Sequence, residues 1–159
     1  MHSEVKRFAG SWNFIRGMTK DFVRGVPAEA WEKSPLPEMA SLAKQVRHLI
    51  CVSGTYTRAL RTGQMEMKGK HDFYTGGLGK EELLVALEKC DLDLLAALNA
   101  IDGETLGEER IDFFGGPMTF SEFTHGMIQH ESIHQGLWAA YARAGKFKTP
   151  DSWSQNWKL

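Results

Sequence analysis

Two cysteines, Cys51 and Cys90, are all that this chain of 159 residues contains. They show no CxxC or zinc-ribbon spacing, so neither a disulfide framework nor a thiolate metal centre is expected. Both read as buried thiols of a reducing cytoplasm. No apolar run approaches the roughly 18 residues that a membrane span needs. The opening MHSEVKRFAG has no apolar stretch after its basic residues, so no secretory signal is expected there. Charge of one sign is also lacking. The formal net charge is -1 and no basic stripe is evident, which argues against nucleic acid or a membrane surface as a partner. What the chain does have is an ordinary globular composition, 42% hydrophobic and 25% charged, which suits one domain over residues 1–159. Its 5 tryptophans and 9 phenylalanines predict an aromatic core or an apolar pocket, and composition does not separate the two.

Four segments carry helical periodicity. In residues 4–24, Val5, Phe8, Trp12, Ile15 and Phe22 recur at three- or four-residue steps, with lysines and arginines assigned to other faces. Gly25, Val26 and Pro27 end it, and a connector follows with Trp31 and the breaker pair Pro35 and Pro37. In residues 39–60, Leu42, Val46, Leu49, Ile50 and Val52 form an apolar side, with Gly63 just beyond. The stretch GQMEMKGKHDFYTGGLG has no period and reads as a loop, with Met65, Met67, Phe73 and Tyr74 available to cover a neighbouring surface. In residues 80–101 the stripe is Leu83, Leu87, Cys90, Leu94, Leu98 and Ile101. Residues 104–118 read as extended or hairpin-like, turning at Gly115, Gly116 and Pro117. The last helix opens with a capping box, Thr119 and Glu122, and runs to about residue 144 before Gly145. The tail reads as irregular, with Trp153 and Trp157 able to pack back. Four helices of this length with long connections predict an all-α fold, a four-helix bundle.

On the last helix Phe123, Met127, His130, His134, Leu137 and Tyr141 share one stripe. His130 and His134 are four residues apart, so both imidazoles leave the same face and can chelate one transition metal. A lone inward histidine reads as an ordinary core residue. Two together leave several ring nitrogens needing partners in one small volume. His48, in the middle of the second helix, is the candidate third ligand. A three-histidine site with open positions is the arrangement of a catalytic metal. Gly126, one turn before His130, would leave room for a substrate, or else mark close helix packing. His2, His71 and His125 do not join this face. Glu131 completes H-E-x-x-H, in which the Glu is a general base; its other reading is a helix-surface carboxylate. The extended zincin pattern fails, because Leu137 and Ala140 stand at its Gly and His positions.

SLAKQVRHLICVSGTYTRAL and MTFSEFTHGMIQHESIHQGLWAAYARAG together resemble the DinB-like (YfiT-like) superfamily of metal-dependent proteins. The likeness covers nearly the whole chain. It implies a four-helix bundle, often homodimeric, with a metal held by His48, His130 and His134. Relatives include S-transferases and isomerases that use low-molecular-weight thiols. A basic residue is common after the last of these histidines in that family, and Gln135 stands there instead.

The leading expectation is a cytoplasmic metal-dependent transferase or hydrolase of a small molecule, using zinc or nickel and thiol or water as nucleophile, with Glu131 as a candidate proton acceptor. The alternative is a non-catalytic bundle that binds a ligand or partner, its metal structural or absent, with Phe73, Tyr74, Trp153 and Trp157 as a binding surface. An HExxH-type metallopeptidase is the third reading.

Overall fold

The computed structural model of the chain describes residues 1–36 and 38–157. In chain order its elements are α1 (Ser3–Gly25), α2 (Ala28–Trp31), α3 (Leu42–Thr62), β1 (Gln64–Met65), α4 (Lys80–Asn99), β2 (Ile111–Phe113), β3 (Gly116–Met118), α5 (Phe120–Gly145) and α6 (Asp151–Trp157), with single 3-10 turns at Lys70–Phe73 and Gly103–Thr105. The helix boundaries follow local chemistry. Ser41 caps α3 by accepting the Lys44 amide, and Gly63 ends it in a left-handed conformation at φ 73°. Thr119 and Glu122 form the reciprocal capping box at the start of α5. Pro37, one of the expected breakers, lies outside the described residues.

The four long helices form a bundle in which α1 packs on α4 and α5, and α3 packs closely on α4 and more sparsely on α5. The core divides into two apolar halves. One holds Met18 and Phe22 of α1, Leu42 to Ile50 of α3, Leu83 to Leu87 of α4 and Trp138 and Tyr141 of α5. The other holds Val5 to Ile15, Val52 to Ala59, Leu94 and Leu98, and Phe120 to Met127. Which end of each helix joins which half fixes the directions: α1 and α5 run one way, α3 and α4 the other. Because α3 and α4 are parallel, the chain must travel back along a helix of about 30 Å between them, which explains the long aperiodic connection.

That connection is not free of structure. Its 3-10 turn lies against α3, with the Phe73 ring seated over Gly54; a Cβ at position 54 would fall 2.2 Å from the ring. β1 pairs parallel to β2, and β2 pairs antiparallel to β3, closing one end of the bundle. The expected hairpin is present, but its turn is Phe114–Gly115, both at positive φ, and Gly116 and Pro117 lie in β3. The tail also departs from expectation. It forms α6, with Trp153 wholly buried and its indole N–H donating to the Met18 carbonyl at 2.9 Å. Phe22 stacks between Trp138 and Trp153, at centroid distances of 5.1 and 4.9 Å. Trp153 is therefore a core residue rather than part of an exposed binding surface. Among the described residues no helix is long and apolar enough to cross a membrane.

Candidate metal centre

A polar layer separates the two apolar halves. Arg16 is 1% exposed although Lys6, Arg7 and Arg24 of the same helix face outward. It shares a stripe with Trp12, Thr19 and Val23, so its burial is dictated by its place on the helix. Its guanidinium lies 3.2 Å from Asp91 and 3.1 Å from Glu131, and its Nη2 donates to Ser53 Oγ at 2.6 Å. Nε and Nη1 are off the line of a good hydrogen bond, so the contacts to the two carboxylates are ion pairs. Lys20 adds a second cation on Asp91 at 2.9 Å, and the Trp12 indole donates to the same carboxylate at 3.2 Å.

Glu131 belongs to this layer. It is 1% exposed, which corrects the expectation of a helix-surface carboxylate. Thr19 donates its hydroxyl to Oε1, the oxygen that also faces Arg16, and Thr19 in turn accepts from Gln135 at 2.9 Å. Gln135 also donates to the Ile15 carbonyl at 2.8 Å, so this residue ties α5 to α1. Burial pushes the Glu131 carboxyl upward, and the Arg16 charge and the Thr19 hydrogen bond oppose that rise.

The three histidines lie at the same level, across the seam between α3 and α5. One ligand nitrogen of each lies within 4.8 Å of those of the other two. His48 Nε2 and His130 Nε2 are 3.2 Å apart, and the three ring centroids are separated by 5.3, 5.3 and 4.9 Å. All three are half-buried. Burial first, and then neighbouring positive charge, hold His130 and His134 at about 4, and His48 is lowered for the same reason, with Lys70 and His71 contributing. At neutral pH the imidazoles are therefore uncharged, the form that binds metal. Two nitrogens sharing a tetrahedral cation at about 2.0–2.1 Å stand roughly 3.3 Å apart, so the His48–His130 pair has the spacing of a shared divalent metal, and His134 offers a third donor of the same chemistry within 4.8 Å.

Behind the trio are residues that periodicity alone does not single out. Gln45, one turn before His48, faces His134 Nδ1 at 3.4 Å and accepts from Trp138 Nε1 at 3.0 Å. Tyr56 sets its ring edge-on to His130 at 6.0 Å, and burial with the nearby Glu131 charge pushes its hydroxyl to about 12. Gly126, one turn before His130, is exposed, and a Cβ there would meet nothing within 4 Å, so this glycine does not serve close helix packing.

The sequence pattern of the DinB superfamily matches residues 12–137. The chain belongs to the DinB superfamily. Its fold is shared with a DinB-like protein of Bacillus cereus, at a TM-score of 0.73 and 19% identity over 90% of this chain and 93% of that one. A DinB-like protein of Bacillus subtilis superposes at 0.70 with 18% identity, over 91% and 94% of the two chains. A third, from Exiguobacterium sibiricum and described as of the DinB family, gives 0.69 and 15% over 93% and 95%. At these identities the likeness carries the fold. No curated protein gives a significant sequence match to this chain. For the DinB-like helical fold, then, the three histidines can hold a metal ion, and the reaction has to be argued from the site.

Proposed function

We propose that the protein is a metal-dependent enzyme acting on a small molecule by thiol-dependent S-transfer or by hydrolysis, with His48, His130 and His134 holding zinc or nickel. The observation that carries this reading is the convergence of three imidazoles from two helices, with ligand nitrogens within 4.8 Å. Imidazole donors suit either metal. Such a cation, once bound, supplies the Lewis acidity that favours the deprotonated form of a thiol or of water at neutral pH. The chain's own part is to hold the donors in place and keep them uncharged. Glu131 is assigned to the scaffold, because its inward oxygen is engaged by Arg16 and Thr19. That engagement also weighs against a peptidase in which Glu131 would be the base.

A homodimer completes the reading. Val85 and Leu92, seven residues apart on one face of α4, are 67% and 69% exposed and offer apolar surface for it. Light scattering that returns a monomer at micromolar concentration would remove this part.

One observation favours a binding-only alternative. A cavity of about 650 Å³ lies between α3, α4 and the 3-10 turn, lined by Gly54, Arg58, Phe73, Tyr74 and Cys90 among others, and none of the three histidines lines it. The test is metal content in protein purified without a metal-affinity tag, beside His48→Ala and His130→Ala, followed by thiol consumption with a panel of electrophiles. About one metal ion per chain, lost in both variants while the helical spectrum persists, is the expected result. Metal-dependent turnover that fails in His130→Ala then separates an enzyme from a binding module. A wild type that takes up neither zinc nor nickel sinks the metal reading.

A further inference from the structure

Gln45 is 5% exposed and its amide is pinned at both ends. Its Nε2 donates to the Ala40 carbonyl at 2.9 Å. Its Oε1 lies 3.0 Å from the indole nitrogen of Trp138, a group that only donates, on a residue with no exposed surface. The opposite orientation would set an NH2 against an indole N–H and an oxygen against a carbonyl oxygen. Both neighbours therefore select the same orientation. The atom facing His134 Nδ1 at 3.4 Å is thus an oxygen, and an oxygen of this kind can only accept.

We propose that Gln45 is the positioning residue of the trio: by accepting a hydrogen bond from Nδ1–H it fixes His134 as the Nδ1–H tautomer and leaves Nε2 as its ligand nitrogen. The partner of a ligating imidazole's second nitrogen sets both its tautomer and its ring orientation. Here that partner is held by Trp138 of the same helix as His134 and by the backbone ahead of α3. The two sides of the seam are thus registered to one another before any ion arrives. The usefulness of this arrangement rests on the metal site proposed above; the tautomer does not.

The test reads the imidazole nitrogens of the metal-free protein at neutral pH by long-range proton–nitrogen NMR, and measures zinc affinity separately. In the wild type His134 is expected to carry its proton on Nδ1. Gln45→Leu, which removes the acceptor, shifts His134 toward Nε2–H and weakens zinc binding by about 10–100-fold. Gln45→Glu, which retains an acceptor oxygen, keeps the Nδ1–H form and recovers most of the affinity. An Nε2–H form in the wild type overturns the proposal, and that reading needs no variant to fold. So does an unchanged Nδ1–H form in Gln45→Leu. If the tautomers behave as expected but the wild type binds no zinc, the metal reading falls while the positioning by Gln45 stands.

Discussion

At position 131 a short motif and its surroundings point to different roles. Within His130-Glu131-x-x-His134 the glutamate suggests a general base, yet its carboxylate is turned into the bundle against Arg16 and Thr19. Without Glu131 the buried Arg16 keeps only Asp91, which Lys20 also holds, so the layer is left with one unmatched positive charge, at a cost of about 3–5 kcal/mol. Glu131→Ala should therefore lower stability by about that amount in urea titration of the metal-free protein. A variant of near wild-type stability that has lost turnover would return Glu131 to the role of base. Arg16 and Asp91 were legible in principle. Arg16 keeps step with Trp12, Thr19 and Val23, and Asp91 lies between Leu87 and Leu94 on the α4 stripe. A charge on an apolar stripe becomes interpretable only when its partner is known, and these partners are 75 residues apart in the chain. The histidines make a second prediction at this scale. His130 and His134 are held at about 4 in the fold against an ordinary 6.5. Between those values the unfolded chain binds protons that the folded chain refuses, so stability rises with pH there. Acidifying metal-free protein from pH 6.5 to about 4 should lower its urea midpoint progressively. That slope should flatten in the double variant His130→Ala/His134→Ala. A slope unchanged by the double variant would assign the acid sensitivity to other groups.

The long helices were legible because each carries its own stop and start signals, Ser41 and Gly63 around α3 and the Thr119–Glu122 box before α5. α6 was not, and the reason is length. A helix of 7 residues has too few hydrogen bonds to offset its nucleation cost and forms only because it docks. The docking residue is Trp153, whose ring stacks on Phe22 and whose N–H is satisfied by Met18. Trp153→Ala should therefore cost about 3–5 kcal/mol by urea titration, a loss typical of a fully buried aromatic. It should also abolish protection of the residue 151–157 amides in hydrogen exchange. A loss below about 1 kcal/mol would mean that α6 is only loosely attached. β1 escaped the sequence for a related reason: two residues cannot show alternation, and its pairing with β2 is set by the closure of the bundle end.

Across the whole molecule the bundle is least tightly joined at the seam where the histidines meet. α1 and α4 are knitted together by Arg16, Lys20 and Asp91, and α1 and α5 by Glu131, Thr19 and Gln135. Between α3 and α5 the polar links among the described residues are the trio itself and the Gln45 bonds to His134 and Trp138. The four-helix plan was legible from periodicity, and so was the sharing of a face by His130 and His134. The distance of His48 from them was not, because it depends on which helices become neighbours. An ion held by all three histidines would close this seam, and a ligand that binds only the folded state stabilises it by mass action. At a free concentration of about 100 times Kd the gain is about 2.7 kcal/mol. For a chain of 159 residues that corresponds to a rise in Tm of roughly 5–10 °C. Zinc should produce this rise in the metal-free wild type, and a chelator should reverse it. His48→Ala, which leaves both α5 histidines intact, should lose most of it, because the ion would then bind one helix and no longer join two. An equal shift in His48→Ala would place the ion on α5 alone and leave the seam without its proposed clasp.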